Sequence, residues 1–289
     1  MRVTFGKTGL EVSRLAIGSS YGVGGDDLVW AFDRGVNFFF WGLRRTSHFA
    51  DGLRALAPKH RSEMVIAIQS YSRSALLMRR WVDCALSRLK TDYVDVLTLG
   101  WWNSMPPARI LDEARALREK GKVRHLMISS HDRPTFAELV KEPAFEAIMV
   151  RYNAAHPGAE REVFPLLDAA GDPGVLAFTV TRWGTLLNPR FTPEGEPTPT
   201  STDCYRFVLS SPHVDVSLCG PKDRSELELA MRALDHERMS EDELAWMRRV
   251  GKAVHASPAG ESPVNKIDRL LKRFKRSQPK PDAATNAAE

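Results

Sequence analysis

Eight short runs rich in β-branched and aromatic residues recur along this chain. They are Arg14–Ser19, Val36–Trp41, Val65–Gln69, Val94–Leu99, Val123–Ser129, Ala147–Tyr152, Val175–Thr181 and Val214–Gly220. Amphipathic stretches with apolar residues at helical spacing lie between them, most clearly Ala75–Leu89 and Ala108–Glu119. Strands that are apolar on both faces must be covered on both faces, which calls for a parallel sheet with helices packed outside it. Eight such units within about 220 residues predict a closed (β/α)8 barrel of the TIM type rather than an open sheet. Ahead of the first unit, Phe5–Val12 centres on Lys7-Thr8-Gly9 and predicts a β-hairpin, placed to plug the bottom of the barrel.

Composition narrows the class further. With 43% apolar and 27% charged residues the chain has enough apolar surface for one sizeable core. No apolar run approaches the roughly 18 to 20 residues of a membrane helix, and the opening MRVTFGKTGLEV lacks the apolar stretch of a signal peptide. Cys84, Cys204 and Cys219 are odd in number and far apart, which argues for a reducing, cytoplasmic setting. The net charge of +5 draws on the basic run Lys266–Lys280, read as a solvated helix rather than a nucleic-acid or membrane patch. The expected organisation is one barrel domain over residues 1–275 and a disordered tail over 276–289. The Pro-, Thr- and Glu-rich segment 188–202 is expected to be a lid or a plain insertion.

Several ordered motifs resemble those of the aldo-keto reductases. FGKTGLEVSRLAIGSS (5–20) resembles the family's opening, DRGVNFFF (33–40) its second strand and SRLKTDYVDVLTL (87–99) the approach to its fourth. LREKGKVRHLMISS (117–130), RYN (151–153) and LCGPKDRSELELAM (218–231) complete the set. The resemblance implies hydride transfer from NADPH to a carbonyl, with a Tyr proton donor assisted by Asp, Lys and His. The corresponding positions here hold Phe40 for the Asp, Arg45 for the Tyr, Gln69 for the Lys and Gly100 for the His. None of these is an acid near neutral pH, since even Arg holds its proton to above about pH 12. Carbonyl reduction of the family's kind is therefore not expected.

The resemblance also assigns cofactor positions. Ser129 and Ser130 stand where the nicotinamide carboxamide is held, and Met149 replaces a Gln that holds it too. Phe178 stands at the ring-stacking position. Gly220 and Lys222 lie in the phosphate-contacting block, and Leu229-Ala230 replaces an adenine-holding Glu-Asn pair. Gly22-Val23-Gly24 lacks the third glycine of a dinucleotide fingerprint. NADP(H) is thus implied by resemblance and weakened by residue.

Active sites of such barrels lie at the C-terminal ends of the strands. The residues just past each strand are Trp41, Arg45, His48, Tyr71, Trp101, Asn103, His131, Arg151, Arg182 and Trp183. They predict a pocket with aromatic walls and a cationic floor, in which Arg151 and Arg182 form a bidentate clamp for a carboxylate or phosphate. Its expected partner is an anionic, flat or partly apolar small molecule. His131, His48 and Tyr71 are the substitute proton donors if the barrel is still an oxidoreductase. A non-redox enzyme (an isomerase, lyase or cyclase) using His131, His156 or Glu160, and a non-catalytic binding or regulatory protein, are the alternatives. His156 and Glu160, four residues apart, lack a third ligand of recognisable spacing, so no metal is expected. Cys219 reads as a buried small hydrophobe.

Overall fold

The computed structural model describes residues 2–42 and 47–257. Two short strands, β1 (Arg2–Thr4) and β2 (Glu11–Ser13), pair antiparallel with Val3 opposite Val12. Eight parallel strands follow: β3 (Leu15–Gly18), β4 (Phe38–Trp41), β5 (Val65–Ser70), β6 (Val94–Leu99), β7 (Val123–Ser130), β8 (Ala147–Arg151), β9 (Gly174–Phe178) and β10 (Val216–Cys219). They close in sequence order, with β10 pairing β3. Outside the strands lie α1 (Gly25–Phe32), α2 (Ser47–His60), α3 (Ala75–Leu89), α4 (Ala108–Glu119), α5 (Phe136–Leu139), α6 (Ala159–Glu162), α7 (Ser201–Ser210), α8 (Arg224–Met231) and α9 (Glu241–Ala256).

Alternation along each strand separates two apolar layers. Phe38 and Phe40 of β4 belong to the barrel interior with Val65, Ala67, Val96 and Leu176. Phe39 and Trp41 belong instead to the layer between strands and helices. Trp41, expected as a pocket wall, is therefore 1% exposed in the outer layer. The strand's two-residue period turns it away from the mouth, and the sequence expectation is corrected on this point.

The hairpin forms and does close the bottom. Its six-residue connection, 5–10, carries Phe5 and Leu10 into the interior cluster, where Phe5 meets Phe38 edge-on at 5.6 Å. Gly6 sits at φ 45°, and a Cβ there would lie 2.1 Å from the Gly174 nitrogen, so only glycine permits this approach. Helices α3 and α4 have the bounds expected from periodicity. The last two strands are shorter than expected. Strand β9 stops at Phe178 because Thr179 turns to φ 63°. The segment 188–202 packs on α9: Glu196 accepts from Arg249 at 2.5 Å, and the Trp246 indole donates to the Pro197 carbonyl at 3.1 Å. Among the described residues no helix is long and apolar enough to cross a membrane. Arg45, the basic run 266–280 and the expected tail 276–289 lie outside the described residues.

Candidate functional site

At the C-terminal end of the barrel three rings form a row. His131, just past β7, lies 4.8 Å from the Trp101 ring and 5.5 Å from Phe178, the last residue of β9. The loops hold this row through β7. The Trp101 amide donates to the Ser129 hydroxyl at 2.9 Å, and the Trp102 amide to the Ser129 carbonyl at 2.9 Å. Asn103 Oδ1 accepts from the Ser130 hydroxyl at 3.1 Å and the His131 amide at 3.2 Å. Asn103 therefore stitches two loops together rather than standing ready for a ligand. Trp101 sits at φ 56°, a left-handed conformation that costs a non-glycine residue about 1–2 kcal/mol. Arg73 donates to the Gly100 carbonyl at 3.1 Å and to that of Trp101. Its guanidinium stacks 3.7 Å over Trp102. An open hollow of about 340 Å³ lies among Arg73, Trp101, Trp102, Asn103 and Ser104.

Beside the row is a concentration of cations. Arg151 ends β8 in register with Phe178 and is half-buried. Burial first, then Arg133 and Arg182, lowers its pKa below the usual arginine value, and among the described residues no acid offsets them. Arg133 is held by Glu162 at 2.9 Å, and a Cβ on Gly158 would lie 2.6 Å from the Arg133 guanidinium carbon. Arg182 is 4% exposed and donates to the Val254 carbonyl in the last turn of α9 at 2.5 Å. The expected two-arginine clamp is corrected accordingly: Arg182 serves a helix terminus, whose carbonyls need donors. Arg182, Trp183 and Gly184 are three successive left-handed residues, at φ 51°, 53° and 79°. Trp183 is 42% exposed and makes no ring contact with the row.

His156 joins this group from the loop after β8. Its ring meets His255 of α9 edge-on at 5.1 Å. Burial, then Arg151, Arg182, His255 and Arg133, lower its pKa to about 3, so the imidazole is neutral. Its Nδ1 is buried with no hydrogen-bond partner among the described residues. Glu160 faces elsewhere, accepting from the Tyr152 hydroxyl at 2.6 Å and from Arg248 at 3.0 Å twice. Among the described residues no three His, Cys, Asp or Glu side chains group as metal ligands. Cys219 is buried, and burial pushes its thiol pKa up.

Sequence reasoning missed His255, because α9 is remote in the chain. One signal was available: Gly251 lies inside that helix, and a Cβ there would lie 2.1 Å from the Ala154 carbonyl oxygen. A glycine inside a helix marks close backbone approach.

Of the positions that the resemblance gives to the proton-transfer residues, the three that are described, 40, 69 and 100, are filled by unrelated packing. Phe40 is part of the interior core. The Tyr71 hydroxyl donates to Gln69 Oε1 at 3.0 Å, and a Cβ on Gly100 would meet the Gln69 amide at 2.7 Å and the Tyr71 ring at 2.8 Å. Gly100 is thus a gap occupied by its neighbours. Tyr71 is 62% exposed, and His48 is exposed on the first turn of α2.

The cofactor positions are similarly engaged. The Ser130 hydroxyl donates to Asn103 and accepts from the Asp132 amide at 3.0 Å. The Ser129 hydroxyl already accepts from Trp101, and Met149 is a core residue. Phe178 has His131 against it. Lys222 pairs with Glu226 at 2.8 Å, and the Tyr21 ring lies where a Cβ on Gly220 would be, 2.4 Å away.

The closed barrel agrees with comparison to known proteins. The sequence profile of the Aldo/keto reductase family matches residues 31–202, more than half of the chain, which belongs to that family. Members typically bind NAD(P)H. The chain is similar to an L-galactose dehydrogenase of Arabidopsis thaliana, 26% identical over 256 residues, which cover 78% of this chain and 77% of that one. In structure it is similar to an aldo-keto reductase from Bacillus halodurans in apo form, at 18% identity and TM-score 0.72, and in holo form, at 19% and 0.75. Each covers 90% of this chain and 99% of the other.

Proposed function

We propose that the mouth of this aldo-keto reductase barrel binds a small anion with an aromatic or apolar body, and that the chain does not perform the family's carbonyl reduction. The observation that carries the reading is Arg151. Its guanidinium is half-buried among two further arginines, with no acid acting on it among the described residues. A cation confined in this way lacks the partner that buried charges ordinarily have. A carboxylate, sulfonate or phosphate would supply it through paired N–H donors. The row Trp101–His131–Phe178 offers ring faces beside that charge.

Two sets of contacts argue against family chemistry. Proton donation to a developing alkoxide requires an acid at the reacting carbon. Phe40, Gln69 and Gly100 provide none, and neither would an arginine at position 45. A nicotinamide dinucleotide also fits poorly. Ser130 is saturated by chain partners, Lys222 is neutralised by Glu226, and Tyr21 covers Gly220.

The test is a pair of titrations on the full chain. Calorimetry with 2-naphthoate is expected to show binding in wild type and its loss in Arg151→Met. NADPH, followed by its blue-shifted nicotinamide fluorescence, is expected to give no binding below millimolar concentration. Micromolar NADPH binding with carbonyl-dependent oxidation of the cofactor would overturn the reading.

A further inference from the structure

The mouth contains a second unsatisfied group that an arginine-only anion site does not use. His156 Nδ1 is buried and has no hydrogen-bond partner among the described residues, in a loop otherwise well supplied with them. The His156 amide donates to the Asn153 carbonyl and side-chain oxygen, both at 2.9 Å, and Asn153 Nδ2 donates to the Thr179 carbonyl at 2.8 Å. These bonds fix the backbone on which the imidazole stands. A buried ring nitrogen left empty forfeits the hydrogen bond it would make in water.

Among the described residues, every charged or titratable group that acts on His156 is basic. Arg151 comes from β8, Arg133 from the loop after β7, Arg182 from the loop after β9 and His255 from α9. The two carboxylates of the neighbouring helix α6 are committed: Glu162 to Arg133, and Glu160 to Tyr152 and Arg248. Protonating His156 would therefore place one more positive charge among like charges, and the ring stays neutral. An anion on Arg151 reverses that balance. It cancels the first-ranked charge opposing the proton and brings negative charge close to the imidazole.

We infer that Arg151 and His156 form one proton-coupled anion site, in which a monoanionic aromatic ligand seats on Arg151 and His156 takes up a proton from solvent as it binds. The step forms one N–H bond on a His156 ring nitrogen, with the proton supplied by buffer and no change in oxidation state. The ligand is a carboxylate or sulfonate attached to a flat apolar body. The inference rests on the reading of the mouth as an anion site. It adds that affinity must rise as pH falls, even for a ligand that does not itself titrate. Linkage requires this: if the complex binds more protons than the free protein, lower pH favours the complex.

The experiment is calorimetric titration of the full chain with 2-naphthoate and with naphthalene-2-sulfonate. Neither probe titrates between pH 5.5 and 7.5, in the range of roughly neutral pH where histidine does. Each titration is run at pH 6 in two phosphate-free buffers of different ionisation enthalpy. The expected result is an apparent binding enthalpy that differs between buffers in proportion to proton uptake. A several-fold fall in Kd from pH 7.5 to pH 5.5 should accompany it. His156→Gln should still bind the probes but lose both the buffer dependence and the pH dependence, whereas His255→Gln should keep them. Binding by wild type with no buffer dependence and a flat Kd overturns the proton coupling and leaves the anion site standing. Uptake that survives in His156→Gln, or vanishes in His255→Gln alone, also overturns it. Failure of wild type to bind either probe at millimolar concentration overturns the anion site itself and the coupling with it.

Discussion

The two ends of this barrel treat charge in opposite ways. At the bottom, where the strands begin, Asp95 is 1% exposed and fully subscribed. It accepts from Arg61 at 2.8 Å, from the Ile66 amide at 2.9 Å and from Arg124 at 3.1 Å, and the Tyr93 ring lies 3.8 Å from the Arg61 guanidinium. Glu146 likewise accepts from His125 at 2.9 Å and Arg118 at 3.2 Å. At the mouth, Arg151 and His156 are crowded by cations and meet no acid among the described residues. Satisfied charge at one end and unsatisfied charge at the other is the division expected when one end of a barrel serves stability and the other serves a ligand.

The comparison is broken most directly at the bottom. Asp95→Ala strands two arginines and a buried amide, and should lower stability by about 3–5 kcal/mol in denaturant unfolding. A loss below about 1 kcal/mol would mean that the bottom network is ornamental. Second in size is the pH response of the mouth. His156 is held at about 3 when folded and returns to about 6.5 when unfolded. The unfolded chain thus binds the extra proton between those values, so stability falls as pH falls through that window. From pH 6.5 to 4 the loss should reach up to about 3 kcal/mol, and His156→Gln should flatten that part of the curve.

Smaller effects sharpen the contrast. Gly251→Ala forces a methyl group into the Ala154 carbonyl and should cost about 1–3 kcal/mol while loosening α9 from the loop that carries His156. Arg151→Met should have the opposite sign. Removing a cation opposed by two others should raise stability by about 1 kcal/mol, a gain in the melting curve at the expense of anion binding. If Arg151→Met destabilises instead, the guanidinium has a structural role and the division between the two ends fails.

The legible part of this protein was whatever depended on local pattern. Periods of two and of 3.6 residues located eight strands and gave α3 and α4 their bounds. Position after a strand singled out His131 and Arg151, and the resemblance singled out Phe178; His131 packs against Phe178, and Arg151 lies in register with it. The same rule failed for Trp41, since being last in a strand does not say which face a side chain takes. It failed for Arg182, whose partner is a carbonyl 72 residues further on. It also missed the role of Gly100, a gap that makes sense only once the Tyr71 ring is seen to fill it.

The sequence by itself therefore determined the barrel, its plugged bottom and the absence of acid side chains at three strand ends, because hydrophobic periodicity and residue chemistry are local properties. Only the tertiary structure decided that Arg151 goes without an acid among the described residues, that Arg182 donates to α9 and that His156 is pressed between an arginine cluster and His255. Those are properties of distances between segments remote in the chain. Coulomb interaction and desolvation depend on such distances and on burial, which no run of letters records.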